Sequence, residues 1–133
     1  MSMTNQDILA VAMRQSAIDL SCEAGDFALQ KNKVVYSKQN DRARKYLKLP
    51  FDCQLVTYGN NIVASVQPAL AGAVGEYINK YAVEHCFETP NMNALSDILE
   101  NYGLKICFMA EYFLPDITLL KELPCNYETR LLT

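Results

Sequence analysis

The chain has 133 residues, half of them hydrophobic and a fifth charged, with five glycines and five prolines. That suits one domain burying roughly two-thirds of its unfolded surface, and it excludes disordered, fibrous and collagen-like chains. A net charge of −3 argues against a general nucleic-acid binder.

In chain order, Thr4 is placed to cap a first helix, with Asp7 at the acidic third position. Ile8, Leu9, Ala12, Met13, Ala17 and Leu20 then recur at helical spacing to about residue 20. Ser21 is read as the cap of a short turn over 23–29. Val34-Val35-Tyr36 reads as a strand, and 42–49 as a short helix ended by Pro50. The strongest signal is a hairpin: two β-rich runs, 55–58 and 62–66, joined through Gly59-Asn60-Asn61.

Pro68 then opens a helix whose stripe is Leu70, Val74, Tyr77, Ile78 and Tyr81. The short stretch 84–88 is read as a strand. Thr89-Pro90 caps and opens a further helix with Met92, Leu95, Ile98, Leu99 and Tyr102 on one side, closed by Gly103. Residues 104–113 are apolar at both parities, the pattern of a strand buried on both faces. A helical turn over 119–123 and a last strand over 126–132 complete the reading. Helices alternating with strands predict an α/β domain, with α+β as the alternative. It would be a single layered unit whose mixed central sheet of about five strands is flanked by helices.

The five cysteines, Cys22, Cys53, Cys86, Cys107 and Cys125, suit neither a disulfide framework nor a close-paired zinc motif. They read as free thiols of a reducing compartment. No basic region precedes the first apolar stretch, so no signal peptide is read there. The uncharged run 53–75 is interrupted by Gln54, Asn60, Asn61, Gln67 and Pro68 and fits two strands and a helix better than a membrane span. A cytoplasmic protein with no membrane and no nucleic-acid partner is expected.

Charge is uneven. Lys31, Lys33, Lys38, Arg42, Arg44, Lys45 and Lys48 lie within one stretch that holds Asp41 as its single acid. Such a stretch is either a solvated face or a patch for phosphates or an acidic partner.

Candidate chemistry is sparse. His85 is the only histidine, and beside Cys86 on a strand it would point to the opposite face, away from that thiol. No metal site is predicted and no residue is assigned a catalytic role. The glycines, at 25, 59, 72, 75 and 103, never fall one residue apart, and Gly72 and Gly75 lie inside a predicted helix. A glycine-loop cradle for a dinucleotide or coenzyme A pyrophosphate is therefore not expected. Glu88 and Glu111 are the carboxylates of interest. Glu111, among Phe108, Met109, Tyr112 and Phe113, is either a buried group able to bind an amine or act as a base, or a strand-end residue reaching solvent.

Four stretches, Ala43 to Phe51, Tyr58 to Val66, Glu84 to Asn91 and Cys107 to Pro115, resemble in order and spacing the N-terminal half of two-domain bacterial proteins of the GNAT N-acetyltransferase superfamily. The resemblance covers nearly the whole chain and rests on no catalytic motif. It implies that chemistry belongs to a C-terminal domain holding acetyl-coenzyme A on an (Arg/Gln)-x-x-Gly-x-(Gly/Ala) loop, from which acetyl passes to an amine. That loop has no counterpart in this sequence, so no acetyl-coenzyme A is expected on this chain alone.

On this reading residues 1–125 are an accessory domain and 126–133 the first strand of a further C-terminal GNAT domain. The partner is that domain or a second copy of the chain. Glu88, Asn91, Glu111 and Tyr112 are the candidate residues for the amine-substrate side. The alternative from another class is a stand-alone module binding a small ligand or a protein. A thiol enzyme using Cys86 or Cys53 is a distant third.

Overall fold

In the computed structural model the described residues are 2–45, 48–128 and 130–131. Helix α1 (Asn5–Leu20) starts as its sequence dictates: the Thr4 hydroxyl accepts from the Asp7 N–H, and the Asp7 carboxylate accepts from the Thr4 N–H in return. It ends in Ser21, whose left-handed backbone sends its N–H to the Ala17 carbonyl. Ser21 thus closes α1 rather than opening the next turn. In that next turn, a 3-10 helix over Ala24–Ala28, the Asp26 carboxylate accepts from the Glu23 N–H at 2.9 Å and the Asp26 N–H donates to the Glu23 carbonyl at 3.0 Å.

Strands β1 (Lys33–Tyr36), β2 (Cys53–Thr57) and β3 (Ile62–Val66) form a mixed sheet in the order β1-β3-β2. β1 runs parallel and β2 antiparallel to the central β3. Gly59, at φ +105°, turns the β2–β3 hairpin where a side chain would be strained. All five residues of β3 are buried. Ile62, Ala64 and Val66 face α2 (Ala71–Lys80) and α3 (Thr89–Glu100), meeting Leu70, Val74, Tyr77, Ile78, Leu95 and Leu99. Val63 faces the other way, onto Leu20, Ala17 and Phe27 of α1 and its following turn. The molecule is α+β: a small sheet with helical layers on both faces.

Two of the helix predictions hold closely. Val74, Tyr77 and Ile78 are buried on α2, Leu70 is buried in the 3-10 turn Pro68–Leu70 that leads into it, and Tyr81 is half-buried just past its end. On α3, Leu95 and Leu99 are buried and Gly103, at φ +72°, terminates the helix. The cap of α3 is Glu88, one residue earlier than predicted.

The sheet has three strands, not about five, and each missing one has a local cause. Residues 84–88 are only five long and sit between two helices. They coil into a 3-10 turn (Glu84–Phe87) that buries Cys86, whose carbonyl accepts from Tyr77 Oη at 2.7 Å. Residues 104–113 form no ladder; Leu104 and Ile106 touch the core and most of the rest are exposed. The described residues of 126–132 lie in no strand, Thr129 and Leu132 being outside the described residues.

Likewise, no helix forms over 42–49 among its described residues. There the Arg44 N–H donates to Asp19 Oδ1 at 2.9 Å, so its donor is spent on α1 and not on its own turn. The turn predicted at 119–123 falls earlier, at Ile117–Leu119, where Asp116 caps the Thr118 N–H. No helix among the described residues is long and apolar enough to cross a membrane.

Candidate functional site: an apolar cleft at the open edge of the sheet

The Gln67 N–H donates to the Asp52 carbonyl at 2.9 Å, which sets the phase of the β2–β3 ladder. Asp52, Gln54 and Val56 bond toward β3, so the N–H and C=O groups of Cys53 and Leu55 point to the free edge of β2. No described residue pairs with them.

This edge opens into a cleft of about 410 Å³. Residues 51–56 form one wall and 104–110 another, with Phe87, Met92, Leu95 and Leu99 lining the remainder. Phe51 and Phe108 meet edge to face across it, centroids 5.8 Å apart. Gln54 also lines the cleft, and its Oε1 is buried without a donor. The size and apolar lining suit a small organic ligand, and the spare acceptors of Gln54, Cys53 and Leu55 suit one carrying an N–H or O–H.

The four candidate residues fall into two groups. Glu88 and Asn91 both contact His85: Glu88 Oε2 lies 2.8 Å from its Nδ1, and Asn91 Nδ2 donates to its carbonyl at 2.8 Å. The Glu88 hydrogen bond and charge raise the His85 pKa. Glu111 and Tyr112 lie on the exposed segment after α3, so Glu111 is a solvated carboxylate rather than a buried base. Tyr112 lines the cleft and carries the Arg44 guanidinium 5.6 Å from its ring centre. Of the four, only Tyr112 belongs to the cleft wall.

Cys53 and Cys86 are poorly suited to nucleophilic work. Burial, helped by Asp52, pushes Cys53 up to about 11, and burial likewise raises Cys86. His85 is exposed while Cys86 is buried, so the neighbours are indeed separated, though by a helical turn and not by strand alternation. Among the described residues no three or more His, Cys, Asp or Glu gather as they would around a metal ion.

Gly59 and Gly103 stand at turns with positive φ, and a Cβ on Gly75 of α2 would make an ordinary contact with Val34 Cγ2 of β1 at 3.6 Å. No family model, no curated protein and no solved structure matches the chain.

Sequence reading missed the cleft, because Gln54, Leu55, Phe87 and Phe108 come from separate parts of the chain and carry no motif. The one legible signal was the apolar run 104–113, which forms part of its wall.

Proposed function

We propose that the chain is the accessory, amine-side N-terminal domain of a GNAT-type N-acetyltransferase, inactive alone, with acetyl-coenzyme A held by a C-terminal catalytic domain. One observation carries the docking part of this reading: residues 112–131 display Phe113, Leu119, Leu120, Leu123, Tyr127 and Leu131 to solvent, Phe113 being 86% and Leu131 89% exposed. A run of large apolar side chains this exposed is costly in water unless another folded surface covers it. The sequence resemblance supplies the identity of that surface.

The apolar cleft favours a second reading, a stand-alone module for a small ligand with an N–H or O–H group. The mass of the native gene product in its source cell separates the two. An immunoblot band near twice 15.0 kDa is expected for the accessory domain. A band at 15.0 kDa would overturn it in favour of the module. Calorimetry adds an independent check: micromolar binding of acetyl-coenzyme A to this chain would contradict the division of labour.

A further inference from the structure

We propose that residues 104–110 are a strap that closes onto the free edge of β2 as a fourth strand, filling the cleft. Closure and occupation of the cleft by a ligand are then alternatives. Three observations carry this, and none rests on the acetyltransferase reading.

The first is the unsatisfied edge. Cys53 and Leu55 present their N–H and C=O groups to the cleft, in the spacing that an added strand pairs with. An exposed strand edge beside apolar side chains is a template for pairing.

The second is the strap's pattern. Leu104 and Ile106 already pack on the core, and Phe108 meets Phe51. These three share one parity, so in an extended strand they line one face while Lys105, Cys107 and Met109 line the other. Cys107, Phe108 and Met109 are exposed in the open arrangement, although the segment is rich in strand-forming residues.

The third is the anchor. The Leu104 N–H donates to the Leu99 carbonyl at 3.0 Å and Gly103 adopts the left-handed conformation, so the strap leaves α3 from a set point beside the edge it would join. The sheet would then read β1-β3-β2-strap. Because closure removes the cleft, a molecule filling the cleft releases the strap, and anything that grips residues 112–131 biases that equilibrium.

Residue-resolved amide exchange on the full chain tests this. In a closed strap the Cys53 and Leu55 amides exchange at least about tenfold slower than free-peptide rates, together with alternate amides of 104–110 and independently of protein concentration. Exchange of Cys53 and Leu55 at free-peptide rates overturns the strap. Protection that grows with concentration also overturns it, because the strand would then come from a second copy.

Cys107→Pro combined with Phe108→Pro removes an N–H of each parity, so one that would pair with the β2 edge is lost whichever set faces it. It should return both edge amides to free rates while Ala64 and Val66 of β3 stay protected. Retained edge protection in that variant contradicts the proposal. Should the double variant fail to fold, the wild-type rates decide alone.

Discussion

Asp19 is the most consequential single residue outside the apolar core. Its side chain is fully buried at the end of α1, where it takes the Arg44 N–H at 2.9 Å, the Arg44 guanidinium and the Gln15 amide. Arg44 keeps 28% of its side chain in water. Asp19→Ala should therefore cost about 2–3 kcal/mol in urea denaturation, below the loss for a fully buried pair. It should also free residues 42–45 from α1.

His85 offers a pH test. Glu88, by hydrogen bond and charge, raises its pKa, so its ring titration by NMR should have a midpoint above the ordinary value near 6.5. Glu88→Gln should bring it back down. The sign follows: the folded value is raised, so the contribution is present below the ordinary value and lost as pH rises through the raised one. Asp26 behaves oppositely. Burial opposes its charge, but hydrogen bonds from Lys33 and the Glu23 N–H, with the Lys33 charge, outweigh that and hold it below the ordinary carboxylate value. Its stabilising effect is lost on acidification through that lowered value.

At this scale much was legible. Thr4 with Asp7, Gly59, Pro68 and Gly103 each stand where a local rule places them. The partnership of Asp19 with Arg44 was not, since 25 residues separate the two and only the packing of loop on helix joins them.

At the scale of elements, the helices α2 and α3 and the β2–β3 hairpin follow from periodicity and turn chemistry, because each signal lies within one stretch of chain. Gly103 is the clearest example. Its φ of +72° is strained for any side chain, so Gly103→Ala should destabilise by about 1 kcal/mol in thermal or urea unfolding.

The misjudged elements are those whose state depends on a neighbour. Residues 104–113 have the apolar content of a doubly buried strand, yet β3 holds that place, covered on both faces by helices. Residues 84–88 were too short for periodicity to distinguish strand from turn. Residues 42–49 had the composition of a helix, and the tertiary bond from Arg44 to Asp19 overrode it.

For the whole molecule, the most exposed large apolar side chains, Phe113, Leu119, Leu123, Tyr127 and Leu131, all come from the segment after α3. Replacing two of the most exposed, Leu119→Lys with Leu123→Lys, should change stability by no more than about 0.5 kcal/mol, because neither packs on the core. The same pair should lower binding of an apolar dye and any self-association seen by sedimentation. A large loss of stability would instead mean that this arm packs on its own domain.

Sequence alone determined the local decisions: where α1 begins, where α3 ends, where the hairpin turns, and which stripe of α2 is buried. Each depends on residues within a few positions of one another. Tertiary structure alone decided which strand became central, which edge stayed open, and that Gln54, Phe87, Leu95 and Phe108 share one cleft. Those outcomes depend on which distant segments win the limited space on the two faces of β3, a competition that no single stretch of chain records.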